Sequence, residues 1–320
     1  MVMKRILALL LAGMVSTVAA QAWPAKPVRI IVAYPAGGIS DGVARALADK
    51  LAVQLATPVL VENRAGASGS VGMDAVAKAA PDGYTFGFSA VSPLSLNPHL
   101  AKTPFDPSRD IAPVVSIMYS PVLLLATPAA AARDLPELLA AARARPGAVR
   151  WATAGSGSLG HIMLEQLKAG AKVDITAIPY KGGGQQITDA LGGQFELLSV
   201  NSSPAVLQHV KAGKLRALAV GAPARLDALP NAPTLEELGF AAANMTSLFG
   251  VFAPAGVPAA VLDRLNAEIN KALAQPDMRS RLTGGENVPA GGTAVEFARQ
   301  IALESQSNAR IIQAARIKGE

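Results

Sequence analysis

The chain has 320 residues, 51% hydrophobic, 16% charged and 4% aromatic, with 29 Gly, 23 Pro and no Cys. That balance excludes a disordered, collagenous or disulfide-stapled chain, and the lack of thiols excludes thiolate metal sites, cysteine nucleophiles and cysteine lipidation. The formal charge of +6 comes from 29 basic and 23 acidic residues scattered without a basic run, which argues against a nucleic-acid partner. The length suits one large or two ordinary domains.

Residues 1–22 read as a signal peptide. Lys4 and Arg5 form the charged start, Ile6 to Ala20 the apolar stretch, and Ala20-Gln21-Ala22 a small-x-small cleavage site. The apolar stretch falls short of the ~20 residues that span a bilayer, so cleavage near Ala22 and a periplasmic product are expected. The mature chain keeps 27 basic and 23 acidic residues, a net charge of +4.

Val28 to Tyr34 is a β-branched run expected as a buried strand. It meets the turn Pro35-Ala36-Gly37-Gly38-Ile39-Ser40-Asp41, after which Val43, Leu47, Leu51 and Leu55 recur at helical spacing. The pattern repeats with a strand Pro58 to Glu62, a loop Asn63 to Ser70 and a helix Val71 to Ala79. A third strand, Tyr84 to Phe88, then runs into a loop containing Ser92 and ending near Asn97.

A second set starts at Val149 to Ala154, followed by Gly155-Ser156-Gly157-Ser158-Leu159-Gly160 and a helix to Ala169. Strand Asp174 to Pro179 meets Tyr180-Lys181-Gly182-Gly183-Gly184 and a helix through Ile187 and Leu191. Strand Phe195 to Val200 meets Asn201-Ser202-Ser203-Pro204 and a helix to Lys211, and Leu215 to Val220 closes the set. Extended stretches at Ser120 to Ala126 and Leu248 to Pro254 separate the sets, so the first domain is expected to be discontinuous. Helices over Val257 to Ala274 and Ala294 to Ile317 pack back on it. Strands alternating with helices predict parallel sheets covered on both faces, with ligand beyond the carboxyl ends of the strands, where the Gly and Ser residues fall.

Glycine admits close backbone approach, Ser and Asn offer uncharged hydrogen bonds, and helix N-termini favour an anion. Any one such loop equally suits a plain turn; the expectation of a small anionic ligand rests on all of them sharing one edge. Gly155 to Gly160 fits G-x-G-x-x-G, but Asp174 lies at the wrong end of the next strand to hold a ribose. G-x-S-x-G does not occur. His99, His161 and His209 form no zinc-binding spacing, so neither metal nor cofactor is expected. Asp41 and Glu62 flank two loops, where helix capping or backbone bonding competes with catalysis. A secreted hydrolase using Ser156 or Ser158 with His161 is the alternative to a binding protein.

The chain resembles the periplasmic receptors of tripartite tricarboxylate transporters, the Bug family. The matching residues include Trp23-Pro24, Tyr34-Pro35-Ala36-Gly37-Gly38 with Asp41, Val61-Glu62-Asn63-Arg64, and Gly66-Ala67-Ser68-Gly69. Further matches are Pro81-Asp82-Gly83-Tyr84-Thr85, Pro179-Tyr180-Lys181-Gly182, Val210 to Val220 and Phe249-Gly250 with Ala253 to Pro258. The resemblance implies an α/β, two-lobed type II periplasmic-binding fold of the Venus flytrap kind, each lobe a sheet flanked by helices. Lobe 1 would comprise residues 23–123 and 248–320, and lobe 2 residues 124–247. It further implies a non-catalytic, monomeric receptor that holds a small carboxylate-bearing solute and delivers it to a two-component membrane permease. Tyr34, Ala36, Gly37, Gly38, Asp41, Asn63, Ala67, Ser68 and Ser92 would hold the solute from the first lobe. Ser156, Gly157, Ser158, His161, Tyr180, Lys181, Gly182 and Asn201 would hold it from the second. The neutral Asn201-Ser202-Ser203 segment favours a plain carboxylate or aromatic acid over an amino acid, and Glu196 lies inside a strand.

Overall fold

The computed structural model describes residues 23–315 and 317; the expected signal peptide, residues 1–22, lies outside the described residues. The first unit runs β1 (Val28–Val32), α1 (Ile39–Gln54), β2 (Val59–Asn63), α2 (Ser70–Ala77), β3 (Thr85–Ala90) and a short α3 (Ser92–Ser95). Strand β1 pairs in parallel with β2 on one side and β3 on the other, so the ends of all three strands, and the loops after them, lie at one edge.

Strand β4 (Ile111–Ala126) belongs to both halves. Up to Pro121 it pairs antiparallel with β9 (Thr246–Pro254), and from Val122 onward with β7 (Leu197–Asn201) and β8 (Arg216–Gly221). Sequence periodicity picks out only its last seven residues. Pro113 and register shifts after Pro113 and Ser116 break the simple alternation of its first half.

The second unit contains α4 (Leu135–Ala144), β5 (Arg150–Thr153), α5 (Leu159–Ala171), β6 (Thr176–Pro179), α6 (Gly183–Leu191), β7, α7 (Pro204–Lys211) and β8. Strands β6, β5 and β7 are mutually parallel, as expected. Both sheets are nevertheless mixed, not wholly parallel, because the crossing strands β4 and β9 run against their neighbours. Helix α4 has no counterpart in the sequence reading, although Asp134 caps it by accepting from the Glu137 N–H.

After β9 come α8 (Ala259–Leu273), α9 (Pro276–Thr283), β10 (Val288–Pro289) and α10 (Ala294–Ala315). Leu265, Ile269 and Leu273 of α8 join Val43, Leu47 and Leu51 of α1 in the core below the first sheet. Phe297 of α10 packs on Phe252 above it, with ring centroids 5.2 Å apart. Gly250 leaves the room for Phe297, since any Cβ there would strike the ring. The second unit has its own cores on the two faces of its sheet. Leu96, Ile162 and Ile312 form a small cluster joining the units, and each fully buried side chain of this size contributes ~1.5–3 kcal/mol. No described helix is long and apolar enough to cross a membrane.

Candidate functional site: two cavities between the lobes

Two cavities lie where the loops of the two lobes meet. The narrower, about 80 Å3, is lined from the first lobe by Tyr34, Gly37, Gly38, Ser40 and Ser92. From the second lobe it is lined by Ser158, Gly160, Gly183, Gln186, Ser199, Asn201 and Ser203, and the crossing strand β9 adds Ser247 and Phe249. The wider cavity, about 420 Å3, is lined by Ala67, Ser68, Asn97, Ser156, Gly157, His161, Tyr180 and Lys181, among others.

The residues expected from sequence are therefore divided. Tyr34, Gly37, Gly38, Ser92, Ser158 and Asn201 line the narrow cavity. Ala67, Ser68, Ser156, Gly157, His161, Tyr180 and Lys181 line the wide one. Between them the lobes touch. The Ser68 hydroxyl donates to the Ser156 carbonyl at 2.6 Å. A Cβ on Gly182 would come within 2.5 Å of Pro35, and one on Gly184 within 3.0 Å of the Ala36 carbonyl oxygen. Ala36 and Gly182 thus belong to the lobe-to-lobe contact and line neither cavity.

Asp41 and Asn63 also line neither cavity; they brace the Tyr34–Gly38 loop from behind. The Asp41 carboxylate accepts from the Gly37 N–H at 3.1 Å, from Arg45 at 3.0 Å and from the Asn63 amide at 3.0 Å. Asn63 donates in addition to the Tyr34 carbonyl, 3.0 Å away. Burial raises the Asp41 pKa, but these hydrogen bonds outweigh it and the net shift is downward. Asp41 is an ionised brace in the first turn of α1, where the macrodipole also favours a negative charge.

Four helices begin at the narrow cavity. Gly38 is the N-cap of α1, Ser158 of α5, Gly182 of α6 and Ser203 of α7, and residues of every one of these first turns line the wall. The first N–H groups of each helix have no intrahelical acceptor. None of the lining residues is Asp, Glu, Lys, Arg or His. The cavity thus carries the partial positive charge of several helix ends with no fixed charge to neutralise it. Burial pushes Tyr34 up to about 12 despite hydrogen bonds with Ser89 and Ala90, so its hydroxyl stays protonated.

Other candidate groups are engaged elsewhere. Glu196 accepts from the Arg150 backbone and guanidinium at 2.7 to 3.1 Å. Tyr180 donates to Asp189 at 2.7 Å, and burial together with that carboxylate raises it to about 12. The Ser158 hydroxyl accepts from the His161 backbone N–H at 3.3 Å as a helix cap. Among the described residues no group of three His, Asp or Glu could hold a metal ion.

Sequence reasoning missed Gln186, Ser199, Ser247 and Phe249. Gln186 sits four residues after the Gly182 cap, one turn along the helix face that the cap shares. Ser247 and Phe249 alternate along one face of β9, a period-2 signal.

A two-lobed α/β molecule whose strand-to-helix loops meet at a cleft defines a solute-binding protein of the periplasmic kind. Residues 43–317 match the model of the tripartite tricarboxylate transporter family receptor, and the chain belongs to that family of periplasmic solute receptors. Protein BugT of Bordetella pertussis is 40% identical over 266 residues, 82% of this chain and 81% of its own length. The periplasmic binding protein BugD superposes with a TM-score of 0.87 at 28% identity, covering 92% of this chain and 99% of that one. Rpa4515 of R. palustris, solved with adipate, gives 0.87 at 31% identity, covering 92% and 99%. MatC of Rhodopseudomonas palustris, solved with malate, gives 0.86 at 29% identity, covering 91% and 100%. The family is one of receptors, not enzymes, and the hydrolase alternative finds no support in it.

Proposed function

We propose that this receptor binds a small carboxylate-bearing solute in the narrow cavity and delivers it to the membrane permease of a tripartite tricarboxylate transporter. The observation that carries the reading is the convergence of four helix N-termini on a wall without a charged side chain. A carboxylate placed there is held by backbone N–H groups and hydroxyls, which explains why the wall needs no arginine. The dicarboxylates solved with two relatives, adipate and malate, are of this class. With Glu196 committed to Arg150, an ammonium group finds no carboxylate partner among the lining residues, which favours a plain acid over an amino acid.

In this reading the lobes are residues 23–123 with 248–320, and residues 124–247. The change of partner along β4 at Pro121 and Val122 supports the division. Both lobes contact the solute only when closed, so binding selects the closed form. Tyr34, Gly37, Gly38, Ser92, Ser158 and Asn201 contact the solute, and the residues of the wide cavity close over its approach. The chain acts as a monomer exported to the periplasm with its signal peptide cleaved near Ala22.

Calorimetry of the mature, refolded chain against dicarboxylates, tricarboxylates, aromatic acids and amino acids tests this. A carboxylate bound and recovered unchanged is the expected result, with its diester failing to bind. Binding of a neutral sugar or an amine in preference to every acid would overturn it.

A further inference from the structure

The wide cavity, about 420 Å3, is walled by both lobes and differs from the narrow one in charge. Lys102, in the segment after α3, lines it from the first lobe, and Lys181, in the turn between β6 and α6, lines it from the second. No Asp or Glu lines it, and Asp189, which accepts from the Tyr180 hydroxyl at 2.7 Å, lies off the wall. Lys26, Lys50, Lys78, Lys168 and Lys271 are each paired with a carboxylate. Among the described residues neither Lys102 nor Lys181 has such a partner. Both are solvent-exposed, so an ion in solution reaches them directly.

Closure therefore brings two uncompensated positive charges to one cavity, where they repel each other. An anion between them replaces that repulsion with two attractions, and a dianion leaves no excess charge behind. An ammonium group binds phosphate or carboxylate oxygens as a point charge with rotatable donors, so it does not demand the planar geometry of a guanidinium site. Contact with both lysines exists only when the lobes are together, so the anion favours the closed form. By linkage it raises the affinity for the solute, and the solute raises the affinity for the anion by the same factor.

We propose that the wide cavity is a second anion site, in which a small dianion bridges Lys102 of one lobe and Lys181 of the other and thereby strengthens solute binding in the narrow cavity. The site goes beyond the solute reading above, because anion binding by the chain alone is a property of these two lysines. Inorganic phosphate and a second molecule of a dicarboxylate share the required chemistry.

The test is calorimetry of the mature, refolded chain with inorganic phosphate at low ionic strength, held constant with chloride. One phosphate per chain should bind, and Lys102→Gln and Lys181→Gln should each weaken it at least fivefold. Both side chains are exposed and outside the described hydrogen bonds, so the variants keep the fold, which circular dichroism verifies. Titrations of succinate and malate with and without phosphate read the coupling. Phosphate should tighten the bound acid roughly fivefold, and either lysine variant should abolish that gain. If a dicarboxylate is the occupant instead, two acids bind per chain without phosphate, and the second is lost in both variants. Phosphate that competes with the acid, or that binds the variants as tightly as the unaltered chain, would overturn the site. So would the failure of both phosphate and a second acid to bind. If no acid binds the narrow cavity, the carboxylate reading falls, and the phosphate titrations of the three chains still decide this inference.

Discussion

The hydroxyl of Ser68 and the carbonyl oxygen of Ser156 lie 2.6 Å apart, one on each lobe, and form a direct hydrogen bond across the cleft. Both residues line the wide cavity, and the bond exists only while the lobes are together. Ser68 adopts φ 51°, a left-handed conformation that aims the hydroxyl across the gap. Contacts of this kind stabilise the closed form even before the solute adds its own.

Removing that latch should weaken solute binding without altering the binding wall. Ser68→Gly keeps the backbone freedom the position needs and deletes the hydroxyl. A net hydrogen bond contributes ~0.5–1.5 kcal/mol, so affinity should fall roughly two- to tenfold. Small-angle scattering of the ligand-free variant should show a larger radius than the unaltered chain. Unchanged affinity would show that the bond contributes nothing to closure.

The loop at Gly37 has a different requirement. Its φ is 82°, and no atom lies within 4 Å of where a Cβ would stand, so the demand is conformational, not steric. Gly37→Val should shift the loop at a cost of about 1–2 kcal/mol and lower solute affinity at least tenfold. The melting temperature should fall by only a few degrees. At Gly157, with φ 78°, a Cβ would come within 2.5 Å of Asn97 Oδ1, so a bulky residue there should also force the lobes apart.

Asp41 carries the brace behind that loop. Asp41→Ala removes the acceptor for the Gly37 N–H, Arg45 and Asn63 together and should cost about 2–3 kcal/mol of stability as well as affinity. Because the folded-state pKa is lowered, this contribution is complete at neutral pH. It is lost only as pH falls below the ordinary carboxylate value of 3.8. Denaturant titration of both proteins at pH 7 and pH 3 should show the difference shrinking in acid.

Glu304 on α10 gives the opposite pH dependence. Burial raises its pKa from 4.5 to about 7. The folded chain therefore binds more protons than the unfolded chain between those values, and stability falls as pH rises through that window. Glu304→Gln should stabilise the protein at pH 8 by on the order of 2 kcal/mol and have little effect at pH 4.5. Thermal unfolding at the two pH values measures it, and an unchanged difference would rule out the buried carboxylate as its source.

Much of the architecture is written in local patterns. Val28 to Tyr34 followed by Gly37-Gly38 and the Val43, Leu47, Leu51 stripe specifies strand, loop and helix, because β-branched runs, glycine turns and 3.6-residue periodicity each act over a few residues. Trp151, Phe195 and Phe297 are buried as expected of large apolar side chains. The long β4 is less legible. Pro113 and the register shifts interrupt its first half, and only pairing with β9 makes that half a strand. Helix α4 lies outside the recurring strand-loop-helix pattern, and its local start signal is the Asp134 cap.

The site divides in the same way. That the loops after the strands would face a cleft, and that the cleft would suit an anion, follows from chain order and residue type: parallel neighbours bring their carboxyl ends to one edge, and helix N-termini are positive wherever they occur. Which loop residues meet which is a matter of how the lobes close. Asp41 and Asn63 look like ligand contacts in sequence, yet turn inward to hold the Tyr34–Gly38 loop. Ser68 and Ser156 spend a hydrogen bond on each other. Gln186 resembles any polar residue of a helix until the carbonyls of Ala152 and Ser199, 34 and 13 positions away, take its amide hydrogens and leave its oxygen unpaired. Sequence by itself determined the recurring strand-loop-helix elements, their order and the anion-ready edge, since those depend on short-range propensity, whereas α4 and the first half of β4 lie outside that recurrence. Only the tertiary structure decided the division into two cavities and the partner of each polar group, since hydrogen bonds between distant segments exist only once the lobes have packed.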